Sequence, residues 1–145
     1  MTLQEQARAF REAFDQEIQG NISRYGFIKK QLYDMQVGLV AEESREFLQA
    51  ADELYADPEN VKRREEALKE LSDLVFVCYQ FAITFGFDLD EAMRRVFESN
   101  MSKLDENNKP IYRADGKVLK GPNYEPPYLN DLIPQPLFYY DTYGK

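Results

Sequence analysis

Apolar residues recur along the first hundred positions at three- and four-residue spacing, the period of a helix buried on one side. Phe10, Phe14 and Ile18 mark one such face, and Thr2 followed by Glu5 fits a capping box, so a first helix is expected to end near Gly20. After a turn region from Gly20 to Gly26, a second helix is expected over about Phe27 to Leu54, with Gly38 as the point where it bends or restarts. Asp57-Pro58-Glu59 reads as a cap followed by proline in the first helical position, launching a third helix that reaches Gly86. Asp88 with Glu91 repeats the cap spacing and opens a fourth helix, which carries Met93, Val96, Phe97 and Met101 and ends near Asp105. Short connections make sequential helices antiparallel. The expected fold is therefore all-α, a four-helix antiparallel bundle-like core.

Beyond Asp105 the pattern changes. Six of the seven prolines and six of the ten tyrosines lie there, so this stretch cannot continue the helical core. Residues 111–120 read as a small hairpin around Asp115-Gly116, followed by Gly121-Pro122-Asn123-Tyr124-Glu125-Pro126-Pro127. The aromatic content argues for a segment that packs on the helices, against the alternative of a flexible linker. Two parts are thus expected: a helical core over 1–105 and a Pro/Tyr-rich hairpin or strap over 106–145.

A chain of 145 residues can bury a sufficient core without disulfides or a structural metal. Its net charge of −8 disfavours a nucleic-acid partner, which rewards an excess of cations, and suits a divalent cation. Histidine is absent, which excludes Ser-His-Asp and Cys-His nucleophile systems, His-ligated zinc, haem on a proximal histidine and Glu-x-x-His di-iron bundles. Acid–base work falls to carboxylates, Lys or Tyr. The single cysteine, Cys78, sits in an apolar run and reads as a small buried hydrophobe. The longest mostly apolar stretch, Leu71 to Phe85, is short and interrupted by Asp73, and no Arg-flanked leader opens the chain. The expectation is a soluble, cytoplasmic protein with no membrane partner.

Two acidic passages carry the candidate chemistry. Glu43 and Glu46 stand three apart on the second helix, and Glu70 and Asp73 three apart on the third, so each pair projects from nearly one face. Most helix carboxylates are simply solvated, and a face carrying Asp73, Gln80 and Thr84 could meet water. Yet eleven of the fifteen residues from Leu71 to Phe85 are apolar, which predicts a mostly buried helix and an Asp73 in need of a partner. Arg45 or Lys69 could serve one acid. Four converging acids call for a hard cation, Mg²⁺ or Mn²⁺, which takes oxygen ligands and bridges carboxylates to substrate phosphates.

At these residues the chain resembles the MazG-like, all-α nucleoside triphosphate pyrophosphohydrolase superfamily, which includes dimeric dUTPases, dCTP pyrophosphatases and phosphoribosyl-ATP pyrophosphohydrolase. The signature Glu-Glu-x-x-Glu is matched by Glu42-Glu43-Ser44-Arg45-Glu46, and Glu-x-x-Asp by Glu70-Leu71-Ser72-Asp73. Asn100-Met101-Ser102-Lys103 and the run from Arg113 to Tyr124 extend the likeness, which covers roughly residues 30 to 128. The resemblance implies Mg²⁺ ligation by Glu43, Glu46, Glu70 and Asp73, with Glu42 as candidate general base. It implies triphosphate contacts at Asn100 and Lys103. The implied reaction is cleavage between the α- and β-phosphates to a nucleoside monophosphate and pyrophosphate. A homodimer or homotetramer is the usual assembly.

Some of these residues have other readings. Glu42 also reads as a surface carboxylate, and Lys103 as a cation complementing a helix C-terminus. Arg113, Lys117 and Lys120 with Tyr124 read either as a lid that brings cations to the β- and γ-phosphates or as a structural strap or subunit contact. The competing class is a non-catalytic acidic helical adaptor that binds a basic partner.

Overall fold

The computed structural model describes residues 1–18 and 28–134. Among them the chain is all-α, with four α-helices: α1 (Leu3–Ala13), α2 (Lys30–Ala56), α3 (Val61–Phe85) and α4 (Leu89–Met101). One turn of 3₁₀ helix follows at Asn130–Leu132, and no strand is present among the described residues. No single helix among them is long and apolar enough to cross a membrane. The helices divide between two compact units, one containing Met1–Phe87 and the other spanning Asp88–Ile133.

In the first unit α3 packs against both α1 and α2 in bundle fashion. Helix α1 begins as expected: the Thr2 hydroxyl accepts from the Glu5 N–H at 3.1 Å, and the Glu5 carboxylate accepts from the Thr2 N–H at 2.7 Å. It stops at Ala13, well short of Gly20, which lies outside the described residues. The cause is Asp15, which takes φ +52° so that the Gln16 and Asp15 N–H groups turn back onto the Arg11 and Glu12 carbonyls. This is a Schellman closure with an aspartate in the position glycine usually fills.

Helix α2 runs unbroken through Gly38, contrary to the expected weak point, because α-helical geometry is satisfied there and a side chain would meet nothing. The start of α3 also differs from the sequence reading. Asp57 ends α2, and Asn60 is the cap, its side-chain oxygen accepting from the Lys62 and Arg63 N–H groups at 3.0 and 3.3 Å. Asn60 is itself a good cap, and its amide donates to Asp57 at 2.9 Å, which fixes the turn and leaves Pro58 outside the helix. Helices α2 and α3 run antiparallel. Arg63 joins Glu53 at 2.9 Å near the turn, and the carboxylates of α2 meet those of α3 farther from it.

The apolar run of α3 is buried only in its second half, where Val77, Tyr79, Ala82, Ile83 and Phe85 form the core. Leu71, Val75 and Phe76 remain 42%, 39% and 38% exposed, and with Leu3 and Tyr79 they line a groove of about 390 Å³ between α3 and α1. Gln80 and Thr84 are buried, which agrees with the mostly buried helix expected from the apolar run and not with the alternative of a water-facing edge. Gln80 is tied to α1: its amide oxygen accepts from the buried Arg11 guanidinium at 3.2 Å and its amide nitrogen donates to the Ala7 carbonyl at 3.4 Å. The helix closes at Gly86 (φ +76°), as expected.

The second unit is built on α4. Asp88 caps it by accepting from the Glu91 N–H at 3.1 Å. The helix ends at Met101, four residues before Asp105, because the Asp105 carboxylate accepts from the Asn107 and Lys109 N–H groups and starts a separate turn. The expected hairpin forms as one antiparallel bridge, Tyr112 with Val118, around a turn with Gly116 at φ +90°. The following segment is fastened along α4. The Gly121 N–H donates to the Lys103 carbonyl at 2.8 Å, Ser99 donates to the Glu125 carbonyl at 2.7 Å, and the Glu125 N–H donates to Ser102 at 3.0 Å. A Cβ on Gly121 would lie 2.6 Å from the carbonyl oxygens of both Lys103 and Leu104, so this approach requires glycine. Arg95 completes the fastening by donating to the Tyr128 carbonyl and to Asp131.

Candidate metal centre

Helical spacing and antiparallel pairing together assemble the acidic claw. One carboxylate oxygen from each of Glu43, Glu46 and Glu70 lies within 4.8 Å of the others. Asp73 stands close enough for its charge to act on Glu43. Burial is the largest influence on Glu43 and pushes its carboxyl above the usual range. A hydrogen bond and charge repulsion from Glu46, then repulsion from Asp73 and Glu70, push it the same way.

Lys69 is the basic side chain that answers these acids. Its ammonium donates to Asp73 at 2.8 Å and to Glu70 at 3.3 Å, and the two carboxylates hold its pKa above the ordinary lysine value. It does not satisfy the cluster. Glu43 Oε2 and Glu70 Oε2 are buried with no hydrogen-bond donor. Oxygen-only donors, an excess of negative charge and two buried oxygens without partners fit a hard divalent cation. Glu43, Glu46 and Glu70 are the residues placed to hold it, with Asp73 beside them once Lys69 lets go.

The other candidate residues fall elsewhere. Glu42 is exposed on α2. Asn100 is in the last turn of α4, and Lys103 lies in the turn just beyond that helix. Those two and Arg113, Lys117, Lys120 and Tyr124 belong to the second unit, whereas the four acids belong to the first. Arg113 is engaged at both ends of its guanidinium by Asp115, at 2.9 and 2.6 Å, and the Lys120 ammonium lies 4.7 Å from the centre of the Tyr124 ring. Cys78 is half-buried, and burial pushes its thiol up, away from thiolate reactivity.

One buried residue was not singled out in the sequence. Gln36, on the inner stripe of α2, is 3% exposed, and its Oε1 has no hydrogen-bond donor. The signal available was a polar residue in an apolar stripe, between Leu32 and Leu39 and seven positions before Glu43.

Compared with known proteins, residues 7–100, well over half of the chain, match the family model of phosphoribosyl-ATP pyrophosphohydrolase. A search of the curated proteins finds no match.

Proposed function

We propose, from the premise that the chain belongs to the phosphoribosyl-ATP pyrophosphohydrolase family, that it is a Mg²⁺-dependent pyrophosphohydrolase of (deoxy)nucleoside triphosphates, with Mn²⁺ able to substitute. The observation that carries the reading is the claw of Glu43, Glu46 and Glu70, which contains two buried oxygens awaiting a positive partner. When bound, a divalent ion supplies charge neutralisation at the phosphates and a more acidic water. The chain's own residues do the rest. Glu43, Glu46, Glu70 and Asp73 would hold that ion. The Glu42 carboxylate, exposed beside them in sequence, takes the proton of the attacking water. The water oxygen bonds to the α-phosphorus and the bond to the bridging oxygen breaks, releasing nucleoside monophosphate and pyrophosphate. Lys69, displaced from Glu70 and Asp73, is a ready cation for the phosphates, and Asn100 and Lys103 are further candidates for triphosphate contact. Arg113, Lys117, Lys120 and Tyr124 are the candidate lid.

A second copy of the chain would cover the groove formed by Leu3, Leu71, Val75 and Phe76, which supports the expected homo-oligomer. Sedimentation of the chain and of Val75→Arg tests this, with dissociation expected in the variant. A cytoplasmic setting suits a soluble nucleotide as substrate.

The test of activity is a turnover screen of ribo- and deoxyribonucleoside triphosphates with Mg²⁺, scored for pyrophosphate. Glu46→Gln and Asp73→Asn should abolish release. Orthophosphate as the sole product, or turnover unchanged in both variants, would refute the assignment. A chain whose melting temperature ignores Mg²⁺ with nucleotide would be the acidic adaptor instead.

A further inference from the structure

Lys69 is paired in a way that helix geometry alone does not produce. Its contact with Asp73, at 2.8 Å, is the ordinary i, i+4 ion pair of a helix surface. Its contact with Glu70, at 3.3 Å, is not, because adjacent residues on a helix point about 100° apart. The lysine chain therefore leans across towards the claw and spans the outer edge of Glu70 and Asp73. Glu70 is divided by this contact: its Oε1 accepts from the ammonium, while its Oε2, like that of Glu43, is buried with no donor.

The arrangement sets two cations in competition. Lys69 holds Glu70 Oε1 and Asp73 Oδ2, so Asp73 can join the other acids around an ion only when the ammonium has let go. An ammonium meets carboxylate oxygens at hydrogen-bond length, whereas Mg²⁺ demands them at about 2.0–2.1 Å in near-octahedral order, and the two positive charges repel. Lys69 is free to move, since its side chain is 66% exposed on a flexible stem and exposed ion pairs are weak. Once released it needs another anion, and a phosphate chain at the claw supplies one. We propose that Lys69 couples divalent-cation binding to polyphosphate binding: its pairing with Glu70 and Asp73 weakens cation binding when no polyphosphate is present, and a polyphosphate oxygen lifts that restraint by accepting the ammonium. Lys69 is thus a positioning residue that favours the cation and the phosphate chain together over the cation alone. Such linkage is reciprocal, so the cation must tighten polyphosphate binding by the same factor. This rests on the metal and triphosphate reading of the claw.

The test is Mn²⁺ binding to the full-length chain by calorimetry, alone and with inorganic tripolyphosphate, whose own complexation of Mn²⁺ is the same whichever protein is present. Lys69→Met keeps the stem and removes the charge. It should bind Mn²⁺ alone roughly fivefold or more tighter than wild type, and the tightening that tripolyphosphate brings should be smaller than in wild type by a similar factor. Lys69→Arg, which keeps the charge, should resemble wild type. A Met variant that binds Mn²⁺ no tighter, or that gains as much from tripolyphosphate as wild type does, would overturn the proposal. Weaker binding by that variant would overturn it too, by making Lys69 a residue that only orients Glu70, and so would an Arg variant that behaves like the Met one. Should Lys69→Met not fold, the NMR signals of the Lys69 ε-methylene in wild type decide: they should shift with Mg²⁺ and shift again with tripolyphosphate, and indifference to either overturns it. A wild type that binds neither Mn²⁺ nor tripolyphosphate would instead sink the pyrophosphohydrolase reading, and this proposal with it.

Discussion

Glu43→Gln should make the metal-free protein more stable and the metal-loaded protein less so. Glu43 faces three other acids, and its buried Oε2 has no donor, so its charge is a burden on the empty fold. An amide in its place removes the repulsion and can donate to the buried oxygen of Glu70. A hydrogen bond to a charged acceptor is worth about 1.5–3 kcal/mol, and ordering the new amide takes back part of it, leaving a net gain of about 1–2 kcal/mol. For a chain of this length that is a rise of roughly 2–8 °C in melting temperature at pH 7 with chelator present.

The pH dependence follows from the direction of the shift. Below the ordinary glutamate value of 4.5, Glu43 is protonated in both folded and unfolded chains, and there is no penalty. As pH rises past that value the unfolded chain releases its proton first, so stability declines until the raised folded value is passed. The advantage of the variant should therefore vanish towards pH 4. Mg²⁺ at about a hundred times its dissociation constant should add about 2.7 kcal/mol to wild type and almost nothing to the variant, so the two stability orders cross. A variant less stable than wild type at pH 7 without metal, or one that keeps the full response to Mg²⁺, would refute the reasoning.

Three further outcomes are expected. Gly121→Ala should destabilise the second unit by about 1–3 kcal/mol, because backbone rather than a flexible side chain meets the new methyl, and hydrogen exchange at Glu125, whose N–H donates to Ser102, should quicken. Gly38→Ala should raise stability by about 0.5–1 kcal/mol in denaturant unfolding, since the helix interior there has open space for a methyl. Glu91 is held at about 2 by Arg94 and Arg95, so its contribution is present above 4.5 and is lost as pH falls through about 2. Wild type should lose melting temperature across that acid range, and Glu91→Gln should lose less.

Local chemistry was the legible part of this fold. Thr2 with Glu5 and Asp88 before α4 cap as their spacing says, because each cap is settled within four residues. Where a turn contact decided the cap, the local reading missed. Asp57-Pro58 reads as the start of α3, whereas the hydrogen bond that Asn60 donates to Asp57 fixes the turn and leaves Asn60 as the cap. Asp15 ended α1 without the glycine that such an ending usually announces. The four acids were readable as two claws from i, i+3 spacing, and the short turn between α2 and α3 was enough to bring them face to face. Burial was less legible, since it depends on which neighbour arrives: α1 covers Gln80 but leaves Leu71 and Val75 open. The need for glycine at 121 was hidden for the same reason, because the crowding atoms belong to Lys103 and Leu104, seventeen or more residues earlier.

The ammonium of Lys69 already neutralises one side of the claw, at Glu70 and Asp73. Loading it is an exchange of one cation for a more highly charged one, with a smaller change in local charge than the arrival of the ion alone would bring. Capture should therefore feel ionic strength less than it would at naked carboxylates. Under the proposed function, the evicted lysine would stay tethered one residue from Glu70, and the event that seats a metal would also deliver a mobile positive charge beside the phosphates.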